Sequence, residues 1–338
     1  MGAKTIDRAV ADYAELHPQL VSASDAFVRT LRELIDEAGI NYLTIEGRAK
    51  SVPSFAGKAL RLKATREDVD PLSEITDQVG VRVITYVQSD IVAVAELLAE
   101  QFTILEDRDM GLETAREGRF GYASRHLLVS RDEGEATAYE PLRCASVQLR
   151  TVLQHAWAEF EHDIRYKGTV PPEQVPDLDR RFTLAAGLLE LADQQFTTIR
   201  DRLQQGLSGR VVASDQGDPR VSAQELATFL AGRYASAGWS RTDHYEWIAG
   251  LLLELGIGSL DELSEALRDI DSAAITEAMD YRYPPGAVRR LDDDLLAEFG
   301  ERYLALHGNA HRGEALRARL VKLADRTADA AVEAGTTG

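Results

Sequence analysis

The chain has 338 residues, is 44% hydrophobic and 28% charged, and carries a formal net charge of −18 at pH 7. This suits a soluble globular protein with room for two domains, and the acidity, shared about equally between residues 1–210 and 211–338, weighs against broad non-specific nucleic-acid binding. A single cysteine, Cys144, excludes an internal disulfide framework; no apolar run is long enough to span a membrane, and the N-terminus lacks the features of a signal peptide or a myristoylation site, so a cytoplasmic protein is expected.

Residues 5–38 have helical periodicity, with Ile6, Ala9, Val10 and Tyr13, then Phe27, Leu31 and Leu34, three or four apart. Pro18 is expected to divide them into two helices and Gly39 to end the second. A short strand is expected over 41–45, followed by a glycine-punctuated basic stretch over 47–63. Residues 72–79 read as a helix, and the β-branched run 81–87 as a central strand. Then come an amphipathic helix over 91–101, a strand over 102–105 and a charged loop over 106–118. Residues 122–130 and 139–150 read as a β-pair across the acidic turn Asp132–Glu135. Cys144 falls in the second of these strands, where a buried, inert thiol is expected. A helix follows over 151–164, with Leu153, Ala156, Trp157, Phe160 and Ile164 as its buried stripe, ended by Gly168, Pro171 and Pro172. A long helix covers 177–207. The Gly/Ser/Asp-rich segment 208–220 marks the boundary between a domain at 1–210 and a helical region at 221–335, whose last helix is expected to start near His311.

Several polar sets stand out. Arg48, Lys50, Ser54 and Lys58 recur across a strand-to-helix junction, where free backbone N–H groups and cations suit a phosphate, although a solvated basic face has the same composition. Asp77, with Gly80 and Arg82, precedes a central strand, where a carboxylate either holds Mg²⁺ or caps a helix. Tyr122, Ser124 and His126 alternate on one strand face, and a ring beside Gly121 suits base stacking as well as ordinary cross-strand packing. His155, Glu159 and His162 share one helix face, but no HExxH motif or cysteine set accompanies them, so lining polarity is the preferred reading over a transition-metal site.

In order, these sets resemble the synthetase domain of the RelA/SpoT family. The motifs are Arg48-x-Lys50-x3-Ser54-x3-Lys58, Asp77-x2-Gly80-x-Arg82, Gly121-Tyr122-x-Ser124-x-His126 and Val147-Gln148-Leu149-Arg150-Thr151, then Trp157-Ala158 with Glu161-His162 and Tyr166-Lys167. The resemblance implies an α/β fold similar to the nucleotidyltransferases, a mixed sheet flanked by helices and followed here by an all-α region. It also implies transfer of pyrophosphate from ATP to the 3′-hydroxyl of GDP or GTP. By that analogy Lys50, Ser54 and Lys58 hold the ATP phosphates, Arg48 and Arg82 bracket the adenine, Asp77 holds Mg²⁺, and Gln148 and Arg150 belong to the catalytic strand. Tyr122 would stack on the acceptor guanine, with Arg119, Ser124, His126, His155 and Glu161 around it. The chain departs from the family at Ser146, where the pattern has a glutamate beside the acceptor hydroxyl. Serine is a poor base, so three readings stay open. Glu140, Glu159 or Glu161 stands in, the domain binds nucleotides without synthesis, or the position was altered to silence the enzyme. Toxin-type relatives that modify the 3′ end of tRNA offer a further reading, with the helical region as an inhibitory or sensing module; a homo-oligomer is also compatible.

Overall fold

The computed structural model describes residues 6–66, 68–111, 113, 124–131, 138–167, 173–207 and 221–336. Two compact units emerge. The first holds residues up to Ile35 and Tyr42–Thr198; the second holds Asp36–Asn41 and the chain from Ile199 onward. The division falls inside one long helix, Val175–Leu207.

The first unit is built on a five-stranded mixed sheet: β1 (Thr44–Ala49), β2 (Val79–Thr85), β3 (Thr103–Asp109), β4 (Arg125–Ser130) and β5 (Cys144–Thr151), in the order β1-β2-β5-β4-β3. Only β2 and β5 run parallel; the other neighbours are antiparallel. Strand period two sorts the side chains. Val79, Val81 and Val83 of β2, Ala145, Val147 and Leu149 of β5, and Leu127 and Val129 of β4 are buried. The alternate residues Arg82, Ser146, Gln148, Arg150 and His126 are only half-buried and share the opposite face. Thus the sheet has one greasy side and one polar side, and the polar side is where chemistry can occur.

Helix α1 (Ile6–Glu37) is continuous, not two helices. Its buried stripe, Ala9, Tyr13, Leu20, Phe27, Leu31 and Ile35, keeps phase through Pro18, which lies on the exposed side. The packing of that stripe outweighs the one hydrogen bond and ring clash that proline imposes. Against β1, α1 comes so close that a Cβ on Gly47 would sit 2.5 Å from Val28 and 2.6 Å from Ser24. Helix α2 (Val52–Thr65) follows β1, and α4 (Gln88–Gln101) packs on β2, β3, β4 and β5. Between them, the expected helix over 72–79 shrinks to one turn, α3 (Pro71–Glu74). Gln78 is buried there, and its amide donates to the carbonyls of Leu72 (2.6 Å) and Ile75 (3.0 Å), which holds the chain out of a helix.

Other boundaries also move. β1 begins later than expected and takes in Gly47 and Arg48; β3 runs on through 106–109, which composition had suggested was loop. β5 starts at Cys144, a buried thiol as expected, after a turn over 141–143. Thr151 ends β5 and caps α5 (Val152–Lys167) reciprocally: its hydroxyl accepts from Gln154 N (3.1 Å) and its N–H donates to Gln154 Oε1 (2.9 Å). No loop separates strand from helix. The expected stripe of α5 is only partly right. Trp157 and Gln154 are buried, whereas Ala156, Phe160 and Ile164 are exposed. Periodicity located the helix, but the half-turn that faces inward is set by Thr151 and the sheet.

Helix α6 (Val175–Leu207) begins close to its expected start. The turn Asp132–Glu135, the stop at 168–172 and the linker 208–220 lie outside the described residues.

The second unit is helical, as expected: α7 (Ala223–Arg233), α8 (Thr242–Leu255), α9 (Leu260–Ala266), α10 (Ser272–Met279), α11 (Ala287–Phe299), α12 (Glu301–Leu304) and α13 (Gly313–Thr336), with a 3₁₀ turn at His307–Arg312 where the last helix was expected to begin. Leu226, Leu230, Ile248, Leu252, Leu291, Leu295 and Leu316 form its core. Three consecutive aspartates of α11, Asp292, Asp293 and Asp294, are buried as well. Asp292 accepts from Arg312 (2.8 Å) and Arg319 (2.7 Å), Asp293 from Arg319 and from Tyr281 (2.8 Å), and Asp294 from Tyr234 (2.6 Å).

Candidate functional site

The site begins at the β1–α2 junction. Ser51 caps α2: its hydroxyl accepts from the N–H of Ser54 at 3.3 Å and donates to Ser54 Oγ at 2.8 Å. Pro53 in the first turn pre-sets the helical φ. This places Lys50 just before the helix and Lys58 two turns into it. Lys50 Nζ donates to Asp77 Oδ2 at 2.8 Å and Lys58 Nζ to Asp77 Oδ1 at 3.0 Å. Burial alone would raise the Asp77 carboxyl, but the two lysines overcome it and hold its pKa below the usual value. Asp77 is positioned by the pinned Gln78 beside it and by the Lys50 N–H donating to the Gln78 carbonyl (2.8 Å).

Lys50 is held from behind as well. Tyr13 Oη donates to the Lys50 carbonyl at 2.6 Å, and its ring stacks on Phe55 with centroids 3.9 Å apart and planes 1° from parallel. Burial, aided by the Asp77 charge, pushes the Tyr13 hydroxyl to about 12. It therefore acts as a neutral donor throughout the physiological range.

From this corner a cleft runs over the polar face of the sheet, lined by Glu46, Gly47, Arg48, Asp77, Gly80, Val81, Arg82, Ser146 and Gln148. Strand register explains the grouping. Arg48 pairs with Gly80 and Gly80 with Ser146; Glu46 pairs with Arg82, Arg82 with Gln148 and Gln148 with His126. Arg82 is braced by Glu159 of α5 at 3.0 Å, and His155 Nδ1 lies 3.9 Å from the same carboxylate. Arg150 has its guanidinium lowered to about 10 by burial, then by the neighbouring charge of Arg82, with Arg48 adding to it. It stays protonated at pH 7. Such a crowd of cations repels itself, and an anionic ligand would relieve it. His126 is lowered too, by burial and then by Arg150 and Arg108, and its Nε2 lies 2.6 Å from Ser124 Oγ.

Of the residues selected from sequence, Arg48, Asp77, Arg82, Ser146 and Gln148 share the cleft. Lys50 and Lys58 join it through Asp77. Arg150 and His126 extend the same sheet face, Ser124 enters β4, and Ser54 stands in the first turn of α2. His155 and Glu161 are on α5. Arg119 and Tyr122 lie outside the described residues. Three contributors escaped the sequence reading. Tyr13 and Gln78 act through backbone carbonyls, which leaves no motif; Glu46 reaches the cleft only because the strand extends past Ile45. Of the carboxylates considered as stand-ins for the residue at position 146, Glu159 is engaged by Arg82, Glu161 is on α5 and Glu140 lies at the turn before β5; none of the three lines the cleft.

The donors beside the lysines, the Asp77 carboxylate with the Ser146 hydroxyl and the Gln148 side-chain carbonyl in the same cleft, are hard oxygen atoms. They therefore fit Mg²⁺ better than a soft transition metal.

Residues 47–170 match the sequence model described as the region found in RelA / SpoT proteins. GTP pyrophosphokinase YjbM of Bacillus subtilis is 30% identical over 183 residues, covering 53% of this chain and 81% of that protein. The chain belongs to the RelA/SpoT family of GTP pyrophosphokinases. A second RelA/SpoT relative, GTP pyrophosphokinase YwaC of Bacillus subtilis, is 30% identical over 135 residues, or 39% of this chain and 62% of that one. Among solved structures, small alarmone synthetase 1 from Bacillus subtilis bound to its product pppGpp is 24% identical and covers 56% of this chain and 97% of its own, with a TM-score of 0.45. No helix among the described residues is long and apolar enough to cross a membrane.

Proposed function

We propose that this RelA/SpoT protein transfers pyrophosphate from ATP to the 3′-hydroxyl of GDP or GTP. The observation that carries the reading is the Lys50–Asp77–Lys58 cluster at one end of a cleft that Arg48, Arg82 and Ser146 line. Phosphoryl-type transfer is catalysed mainly by positioning and charge, and those are what this cleft provides. The acceptor 3′-oxygen forms a bond to the β-phosphorus of ATP, the bond to the α-phosphate bridging oxygen breaks, and AMP leaves. Lys50, Lys58 and Ser54 hold the triphosphate, and the bound phosphates draw the lysines off Asp77. Asp77, so released, would be the carboxylate to hold Mg²⁺, an ion that would supply charge stabilisation to the phosphates. Arg48 and Arg82 bracket the donor base, while Arg150, His126 and Ser124 line the way to the acceptor, together with Tyr122.

The proton of the 3′-hydroxyl must leave, and Ser146 cannot take it as a carboxylate would. This residue favours a second reading, a nucleotide-binding regulator without turnover. One experiment separates them: AMP release from ATP, with and without GDP or GTP, in the natural sequence and in Ser146→Glu. Acceptor-dependent AMP that rises about 10²–10⁴-fold in the variant supports a transferase slowed at this position. Equal rates assign the proton to another group. No AMP from either protein with any guanosine acceptor rejects transfer and leaves the regulator.

A further inference from the structure

Glu46 lies one residue outside the stretch that matches the family, yet it lines the cleft. On β1 it stands two residues from Arg48, hence on the same face, and directly across from Arg82. Arg48 faces Gly80, which has no side chain to fill the space between the two arginines. Arg48 and Arg82 are therefore diagonal cross-strand neighbours, a relation that separates side chains by about 7–8 Å. That is roughly twice the ~3.5–4 Å contact distance of packed atoms. Side chains that leave the sheet at this spacing can bring two planar guanidinium groups to opposite sides of one flat ring, and either would stack on any purine.

Stacking alone would leave the ring's identity unread, whereas Glu46 stands at the edge of the slot. Arg82 has its counter-ion in Glu159 at 3.0 Å, so Glu46 is not required to neutralise it. Phosphates belong at the other end, beside the cations Lys50 and Lys58. What remains for Glu46 is the rim of the base. A carboxylate only accepts hydrogen bonds; it favours an amino group there and disfavours a carbonyl oxygen in the same place.

We propose that Glu46 is the specificity-determining residue for the pyrophosphate donor, selecting a 6-aminopurine over a 6-oxopurine by accepting from the exocyclic amine. This rests on the reading that Arg48 and Arg82 bracket the donor base, but it does not depend on turnover. The test is calorimetric affinity for ATP and for inosine triphosphate, each with Mg²⁺ and without acceptor, in the natural protein, Glu46→Gln and Glu46→Ala. Glu46 is exposed, so neither substitution endangers folding. The natural protein is expected to prefer ATP by about tenfold or more, as for a charge-assisted hydrogen bond lost and a repulsion gained. In Glu46→Gln the preference shrinks toward unity, because an amide offers an acceptor or a donor as the ring requires. Glu46→Ala weakens ATP and does not weaken inosine triphosphate. An ATP preference unchanged in both variants overturns the proposal, and so does a natural protein that binds both nucleotides equally or fails to bind ATP. Glu46-dependent selectivity, with no AMP release from either the natural protein or Ser146→Glu, would instead sink the transfer reading and leave this one standing.

Discussion

Asp77 illustrates what a single residue does before any ligand arrives. Two ammonium groups saturate its carboxylate, and its pKa is held below the ordinary value although burial pushes the other way. A carboxyl lowered on folding contributes stability that is present above its unfolded pKa and fades as the pH falls through the folded one. Asp77→Asn is therefore expected to lower stability at pH 7, and the difference from the natural protein should close in acid, below the ordinary carboxylate range. The loss will be no more than about 1 kcal/mol, because the Asp77 side chain is 34% exposed and water screens the pairs. Urea unfolding of both proteins at pH 7 and at pH 3 measures it; a gap that persists in acid would show that the ion pairs are not its source. The same substitution removes the proposed metal carboxylate and should cut AMP release by far more than its stability cost explains. At this scale the candidate site was largely legible, because Arg48, Lys50, Lys58, Asp77 and Arg82 sit on two short stretches with fixed spacing. Glu46 and Tyr13 were not, since strand register and the docking of a distant helix bring them in.

At the scale of elements, α1 buttresses the phosphate corner. Tyr13→Phe keeps the stack on Phe55 but deletes the hydrogen bond to the Lys50 carbonyl. A cost of about 1 kcal/mol is expected, with the Michaelis constant for ATP rising more than the turnover number falls, since Lys50 is loosened while Asp77 and the acceptor side are left alone. A turnover loss at unchanged ATP Michaelis constant would contradict that role. Gly47→Ala drives a methyl into Val28 and Ser24 and should cost about 1–3 kcal/mol by separating α1 from β1. The strands and most helices could be read from period and β-branching. The inward face of α5 could not, since Phe160 and Ile164 have the spacing of a core stripe and yet are exposed. Nor could α11, where three adjacent aspartates look like surface. Arg312 and Arg319 hold the Asp292 carboxyl far below the usual range against its burial. Asp292→Asn leaves the Arg312 guanidinium buried without its charge partner and Arg319 with Asp293 alone, and should destabilise the helical unit by about 3 kcal/mol, read as a loss of its helical signal at lower urea concentration.

At the scale of the whole molecule, charge decides which acceptors can approach. The chain carries −18 overall. Its cleft gathers Arg48, Arg82 and Arg150 near Lys50 and Lys58, enough cationic groups for the phosphates of small nucleotides. At physiological ionic strength charges are screened beyond about 8 Å. A nucleotide inside the cleft therefore feels mainly those cations. A tRNA must also lay phosphates along surface outside the cleft, where each favourable contact needs another lysine or arginine and the prevailing charge is negative. The expected acceptors are therefore GDP and GTP, with tRNA left unmodified. ATP labelled at its β-phosphate distinguishes them directly: label should appear in a 3′-pyrophosphorylated guanosine nucleotide and not in tRNA supplied in the same reaction. Lowering the salt should not rescue tRNA labelling, because weaker screening strengthens the repulsion from −18 as much as it strengthens attraction to the cleft. Label on the tRNA 3′ end at any salt concentration would mean that a local basic path overrides the net charge, and label on tRNA alone would rule out the nucleotide acceptor.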